Sequence, residues 1–526
     1  MIKANKEQTP FSVNNNRIAK NTMMLYLRML LTMVISLYTS RVILEAIGIE
    51  DFGIYSVVGG VIGMFTFLNT SMTSATQRFL NFELGTENKK KLNKIFNVSV
   101  LIHFFIALIV LILCETIGLW FLNTQMIIPE DRINAAHWVF QLSILLGIVM
   151  IISVPYNAII ISNEKMSAFA YISIVDVSLK LVVAFLVSST LFDKLIYYAI
   201  LLFAISLINR LIYVIYCKWN FKETKFKFIW DKLIFKKMTS FAAWSLIGNL
   251  SVGAISQGSN LLLNVFFGPI LNAARGIAFQ VQNAIGGFAV NFQMAMDPQI
   301  TISYAKKELK YMQSLVFNGS KYSFFLILFV SLPILFETEL ILTWWIINVP
   351  DHTVNFLRII LLTTLIDSIS HPLNTSIRAT GEIRKFELFL GAILLLVVPI
   401  SYILLKFGAI PEVVFIIHLV VVIIAQITRV IITCSIMKFS LDVFINEVVN
   451  RIGFVSLFSV LIPMFLYLVL PQNWIRFLIL TAACVISVPI NIYWFGINSK
   501  EKLVVKIKTL QFYNRILNNL KQSESD

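Results

Sequence analysis

Charged side chains are scarce in this chain. Asp, Glu, Lys and Arg make up 13% of its 526 residues, roughly half of the ~25% usual in soluble domains. With apolar residues at 58%, too little polar side chain remains to cover the several water-facing domains that this length otherwise implies. Cysteine is rare as well. Cys114, Cys217, Cys434 and Cys484 lie in or beside apolar stretches, without the spacing of a disulfide framework or a metal site. The 43 Phe and only 13 Pro exclude disordered and collagenous chains. No phosphate-cradling glycine loop followed by Lys, no hydrolase elbow and no zinc constellation occurs. We therefore expect no cofactor, no metal and no enzymatic activity. A polytopic membrane protein remains, in keeping with a mean hydropathy of +0.82.

A stretch of about 20 apolar residues crosses the ~30 Å hydrocarbon layer as a helix. Fourteen such stretches are present: 21–44, 52–74, 95–121, 134–161, 167–190, 195–217, 240–266, 270–297, 320–343, 353–377, 386–406, 412–436, 452–470 and 474–496. The second and eighth are rich in Gly, Asn, Gln, Ser and Thr, a composition that suits the lining of a polar interior better than a lipid face. No small-residue cleavage site follows a short apolar core near the N-terminus, so the first stretch reads as a retained helix.

The formal charge of +15 has two physical readings, a phosphate-binding patch or the basic excess of cytoplasmic loops. Its distribution decides between them. With the N-terminus in the cytoplasm, 32 of the 43 Lys and Arg fall on the cytoplasmic side, 4 on the other and 7 inside the stretches. Both termini are thus expected in the cytoplasm, and no nucleic-acid partner is expected.

An internal repeat sets the architecture. Pro155-Tyr-Asn157 followed by Phe169 returns as Pro372-Leu-Asn374 followed by Phe386, offset by 217 residues, and Gly48 returns as Gly268, offset by 220. An even number of helices per half makes this a parallel repeat. The fold class is therefore all-α and polytopic, with about 14 transmembrane helices in two parallel six-helix repeats plus two C-terminal helices. The parts are a tail at 1–20, halves at 21–217 and 239–436, a basic linker at 218–238, two further helices within 437–498, and a tail at 499–526.

Several segments resemble one family. Ser40-Arg41-Val-Ile-Leu-Glu-Ala-Ile-Gly48-Ile-Glu-Asp-Phe-Gly53-Ile-Tyr55 looks like its first-to-second helix junction, and Ala75-Thr-Gln-Arg78-Phe-Leu like its exit into the cytoplasm. The Pro155 segment and Ala379-Thr-Gly-Glu-Ile-Arg-Lys385 resemble its half-repeat ends. The family is the multidrug/oligosaccharidyl-lipid/polysaccharide exporter superfamily, and within it the bacterial polysaccharide flippases. The resemblance covers about residues 18–500 and implies a MATE-like fold in the bacterial inner membrane. Its peptidoglycan-precursor branch is expected to use arginines on helices one, two and eight. Helix two here has no basic residue between Gly53 and Gln77, which favours the polysaccharide branch. Drug antiporters of the fold are expected to carry acids on helix one or on helices seven and eight. Here helix one has Arg28, helix seven has no acid and Asp297 lies at a helix end.

Ionisable residues inside a bilayer cost at least ~2.5–3.5 kcal/mol each at a helix centre. The basic ones are Arg28, Arg41, Lys180, Arg210, Arg275, Arg358 and Arg429, against Asp176, Asp297 and Asp367. That balance suits an anionic ligand. Arg41, Arg275 and Arg358 lie near the outer ends, where snorkelling to headgroups also explains them. Asp176 and Lys180 are four residues apart, either as a plain ion pair or as a Lys presented to phosphate. Asp367 and His371 repeat that spacing, as a proton-coupling pair or as a carboxylate bonded locally to Ser368 or Ser370. His103, His137 and His418 read as isolated packing residues. Polar stripes at Asn249, Ser256, Gln257 and Asn260, and at Gln280, Gln282, Asn283, Asn291 and Gln293, are interhelical glue or a sugar-facing wall.

With the resemblance, these residues set the expected function. It is a secondary transporter that flips a polyprenyl-diphosphate-linked oligosaccharide by alternating access through a cationic central cavity. It would serve O-antigen, capsule or exopolysaccharide synthesis, lipopolysaccharide included. Arg28, Lys180, Arg210 and Arg275 are the expected substrate-binding residues, and Asp176, Asp367 and His371 the candidates for coupling to H+ or Na+. Partners are the lipid-linked substrate, membrane lipids, and a polymerase or glycosyltransferase of the same pathway. An ion-coupled multidrug antiporter is the alternative. A membrane glycosyltransferase would need acidic groups in large loops, which are absent here, and an inert scaffold would leave the buried charge unexplained.

Overall fold

The computed structural model describes residues 10–506 except 64, 65, 125, 127, 347, 348, 500, 504 and 505. The first nine residues of the expected N-terminal tail and residues 507–526 of the C-terminal tail lie outside that range. Among the described residues there are helices and no strand, as lipid demands of open backbone. In chain order they are α1 Pro10–Gly63, α2 Thr66–Gly85, α3 Lys89–Thr124, α4 Glu130–Ser162, α5 Met166–Ser188, α6 Lys194–Asn220, α7 Lys232–Phe267 and α8 Pro269–Ala305. Then follow α9 Leu309–Phe336, the short α10 Thr338–Trp345, α11 Thr353–Thr380, α12 Arg384–Lys406, α13 Val413–Met437, α14 Leu441–Val469 and α15 Trp474–Gly496.

Twelve of the described helices are long and apolar enough to cross a membrane. The described residues of the other two expected crossings, 52–74 and 270–297, are helical too. The first runs over the end of α1 and the start of α2, the second within α8. In 270–297 the Asn and Gln residues and Arg275 lower the apolarity below that of the twelve.

The duplication is written into the backbone. Left-handed φ angles occur at Gly48 (84°) and Gly268 (81°), and at Glu87 (57°) and Lys307 (61°), each pair offset by 220 residues. Glu164 (55°) and Gly381 (85°) form a third pair, offset by 217. Turns of the same hand therefore recur at the offsets of the sequence markers, even where the residue type has changed from Glu to Gly or Lys. At Gly381 the choice of glycine has a second cause. An added Cβ would lie 2.7 Å from the guanidinium of Arg78, which donates to the carbonyls of Arg378 (3.2 Å) and Ala379 (2.9 Å). Gly381→Ala is expected to cost about 1–3 kcal/mol through backbone strain alone, read as a fall in the thermal unfolding midpoint in detergent. An unchanged midpoint would show that the turn relaxes freely.

The chain forms two compact units. The first comprises 1–258, 290–316 and 374–397, the second 259–289, 317–373 and 398–526. In the first, Ile43 and Ile47 of α1, Val183, Ala184 and Val187 of α5, and Ile205 of α6 form one buried cluster. A larger one joins the end of α1, α3, α4 and α6 around Phe140, Val139 and Ile144. In the second unit α13 shows the lipid logic. Ile416, Val420, Ile423, Ile427 and Ile431 are exposed along one stripe, while Val414, Val421, Ala425 and Arg429 are buried on the other. An apolar stripe left outward is stable where the solvent is hydrocarbon.

At one end of the first unit Arg132 clamps two elements, reaching Asp51 of α1 at 2.5 Å and Asp193 before α6 at 2.6 Å. Asp193 also caps α6 by accepting from the Ile196 N–H at 3.0 Å. Partial burial raises its carboxyl, but the bonds from Arg132 and the backbone outweigh burial and hold it below the usual carboxylate range. A carboxyl lowered on folding adds stability above its unfolded value, ~3.9 for Asp, and loses it as pH falls through the folded one. Wild type should thus be more stable than Asp193→Asn at neutral pH, and the gap should close in acid. Thermal midpoints measured against pH check this; a gap that persists in acid would contradict it.

Candidate functional site

In the first unit an intramembrane polar cluster is built by α1, α5, α6 and the part of α8 belonging to that unit. Arg28 of α1 donates from NH2 to Asn291 Oδ1 of α8 at 2.8 Å. Its guanidinium lies over the ring of Phe169 of α5, 4.8 Å from the centroid. Its Nε is buried without a hydrogen-bond partner among the described residues.

Helical spacing extends the cluster along α5. Phe169, Asp176 and Lys180 are seven and four residues apart, so they share one face. Lys180 Nζ is 2.8 Å from Asp176 Oδ2, and Asn209 of α6 donates to the other carboxylate oxygen. One turn beyond Asn209, Tyr213 sits beside Asn157 of α4, within electrostatic reach of both Asp176 and Arg28. The side chains of Lys180 and Asp176 remain 45% and 26% exposed, so the pair is not sealed in the packing.

Two cations and one carboxylate leave this cluster with a net positive charge. Around them stand neutral donors and acceptors: Asn157, Asn209, Tyr213 and Asn291. An arginine can hold phosphate oxygens in a bidentate fork, and a lysine offers a point charge. Amides and a phenol are the groups that bind sugar hydroxyls. Arg210, also on α6, turns instead to α4, where NH1 donates to the Ile152 carbonyl at 2.5 Å and the guanidinium lies 4.4 Å from the Tyr156 ring centroid.

The second unit holds the remaining expected residues. Arg275 of α8 is 9% exposed, donates to Asn260 Oδ1 at 3.3 Å and lies over Phe279 at 4.2 Å. Asn272 also donates to that Asn260 oxygen, at 3.1 Å. Asp367 accepts from Ser370 Oγ at 3.0 Å. His371 follows one turn on, but α11 is interrupted at Ile369, whose carbonyl takes a hydrogen bond from Ser320 at 2.9 Å. Pro372 explains the break, because its ring cannot continue a regular turn. His418 of α13 lies within electrostatic range of Asp367 and Arg275. Its neighbours on α13 are apolar, so nothing in its local sequence pointed to that company. His103 is a packing residue, its ring bonded to the Ser99 carbonyl at 2.7 Å.

Three buried carboxylates also escape sequence reasoning. Glu164 meets Arg17 at 2.5 Å and accepts from Gln299; burial pushes its carboxyl up against the pull of Arg17. Glu387 pairs with Arg378 at 3.3 Å, and Glu337 with Arg476 at 2.7 Å. Two of these partners stand more than a hundred residues apart, beyond any periodicity.

No family model matches the chain, and no curated protein matches it in sequence. Solved structures do match its fold. A MATE protein in the bent conformation aligns with TM-score 0.71 and 13% identity over 82% of this chain and 98% of its own. The outward-facing conformation of a multidrug resistance MATE family transporter of the MOP superfamily aligns at 0.70 and 13%, covering 80% and 96%. A MOP superfamily transporter from Pyrococcus furiosus, described by a reversed polarity of its binding pocket that suggests a different function, aligns at 0.67 and 12%, covering 80% and 96%. At these identities the likeness is one of fold: the chain is built on the MATE transporter fold.

Proposed function

We propose that the chain is a secondary transporter that flips a polyprenyl-diphosphate-linked oligosaccharide from the inner to the outer leaflet of the bacterial inner membrane. The observation that carries this reading is Arg28. It is an intramembrane guanidinium with one arm on Asn291, a ring beneath it and a buried Nε that has no hydrogen-bond partner among the described residues. The task has three parts: a polyprenyl tail that stays in lipid, a diphosphate that needs cations, and a glycan that needs neutral hydrogen-bonding groups. Arg28 and Lys180 meet the second part, and Asn157, Asn209, Tyr213 and Asn291 the third. Arg275 with Asn260 and Asn272 supplies a further cationic station in the second unit. Asp367, with His418 and His371, is the proposed place of ion coupling, and Asp176 is a second candidate.

The second reading is an ion-coupled multidrug exporter, favoured by the description of one structural neighbour as a multidrug resistance transporter. The two readings differ in the charge of the cargo. In cells lacking the protein, lipid-linked oligosaccharide should build up on the cytoplasmic face of the inner membrane and clear when wild type is restored. An unaltered leaflet distribution, with increased sensitivity to cationic drugs, would select the exporter.

A further inference from the structure

The segment between α6 and α7 carries a feature that the transport reading does not use. Counted from the last turn of α6 to the first turns of α7, residues 218–237 hold seven lysines against Glu223 and Asp231. Between the lysines stand Trp219 at the end of α6 and Phe226, Phe228 and Trp230 in the connection itself. Aromatic side chains in a water-facing linker would normally fold inward. Here Trp219 is 84% exposed and Phe228 76%, with Phe226, Trp230 and Leu233 also exposed.

The exposure is built in rather than a sign of looseness. Asn97 of α3 is fully buried, accepts from the Lys227 N–H at 2.8 Å and donates to the Lys225 carbonyl at 3.4 Å. Asn93, one turn earlier, donates to the carbonyls of Glu223 (2.6 Å) and Lys225 (3.2 Å). Thr224 ties the start of the segment to the Cys217 carbonyl at 3.0 Å, and Lys94 lies 3.7 Å from Asp231. Three backbone groups of the segment, the Glu223 and Lys225 carbonyls and the Lys227 N–H, are thus held by two side chains of α3, fixing a strap whose Phe226, Phe228 and Trp230 point outward.

The strap's depth follows from Trp230. Its ring packs edge-on against Phe105 of α3, centroids 6.3 Å apart. Phe105 is eight residues beyond Asn97, about 12 Å along the helix, and lies among Phe104, Leu108, Ile109 and Ile112, all exposed on the lipid face of α3. Trp230 therefore reaches toward hydrocarbon while Lys222, Lys225 and Lys227 remain exposed near the helix ends. Aromatic rings at the boundary with lysines above them match the interface of a leaflet that carries negative headgroups.

We propose that this strap is a docking surface for anionic phospholipid headgroups of the leaflet next to it, its aromatic side chains seated among the acyl chains and its lysines on the phosphates. Each lysine near an anionic surface contributes about a fivefold preference, so removing three is expected to weaken lipid retention on the order of 100-fold.

The test uses the full chain in nanodiscs of phosphatidylcholine with and without phosphatidylglycerol, with native mass spectrometry counting the phosphatidylglycerol retained on release. The triple variant Lys222→Gln, Lys225→Gln, Lys227→Gln should lose the retained lipid. A charge-matched control, Lys307→Gln, Lys310→Gln, Lys385→Gln, should keep it, and so should Lys222→Arg, Lys225→Arg, Lys227→Arg. Equal retention by the strap glutamine variant and wild type would overturn the proposal, as would equal loss in the control. Loss in the arginine variant would assign the effect to lysine packing and overturn it too.

Discussion

Glu337→Gln should be the most damaging single substitution for stability in the second unit, at about 3–5 kcal/mol. Arg476 Nε and NH2 meet the two Glu337 oxygens at 2.7 and 2.9 Å, and the two side chains are 9% and 2% exposed. Arg476 also lies over the Tyr467 ring at 4.7 Å, and beside it Trp344 stacks on Trp474 with centroids 3.6 Å apart. The pair thus fastens α10, α14 and α15 together. Neutralising the carboxylate leaves a guanidinium buried without its counter-charge, and that loss dominates the cost. Replacing both residues by apolar ones of similar size, Glu337→Leu with Arg476→Met, should recover most of the midpoint, because the desolvation of both charges then disappears. A double variant as unstable as the single one would show that the pair acts through something other than charge burial.

The largest effect on transport is expected at Arg28. A hydrogen bond to a charged group is worth about 1.5–3 kcal/mol, which corresponds to roughly 10- to 150-fold in flipping rate if Arg28 holds the diphosphate. Arg28→Lys should fall between wild type and Arg28→Ala, since it keeps the charge and loses the fork. In the absence of substrate both variants should stay folded and lose no more than about 1.5–3 kcal/mol of stability, the worth of the charge-assisted hydrogen bond to Asn291 that is given up. A large stability loss with unchanged flipping per folded molecule would assign Arg28 to packing α1 against α8.

How much of this was legible beforehand depended on range. Apolar length and the alternation of basic loops gave the helices and the count of about fourteen, because both are local properties of the chain. The repeat was visible through Pro155 and Pro372 and through Gly48 and Gly268. Its second and third backbone markers were not, because Glu87, Glu164 and Lys307 adopt left-handed turns without glycine to announce them. Within the candidate site, the Asp176–Lys180 pair followed from helix spacing alone. The contact of Arg28 with Asn291 spans 263 residues, and the polar stripe on α8 gave the type of partner without its identity. Lys321 and Arg476 read as loop charges from sequence. The structure buries both, against Glu501 at 3.4 Å and Glu337 at 2.7 Å, since a residue just past an apolar run can be covered by a neighbouring helix that no single-helix pattern reveals.

The central claim is that this chain moves an anionic lipid-linked glycan rather than a cationic drug. Its most direct test is purified protein in proteoliposomes loaded with a polyprenyl-diphosphate oligosaccharide, read by the rate at which the glycan becomes accessible to an enzyme added outside. Wild type should expose the glycan much faster than empty liposomes, Arg28→Ala should lose most of that gain, and a lipophilic cationic dye should not be transported. Glycan exposure no faster than in empty liposomes, together with ion-driven movement of the dye, would contradict the account.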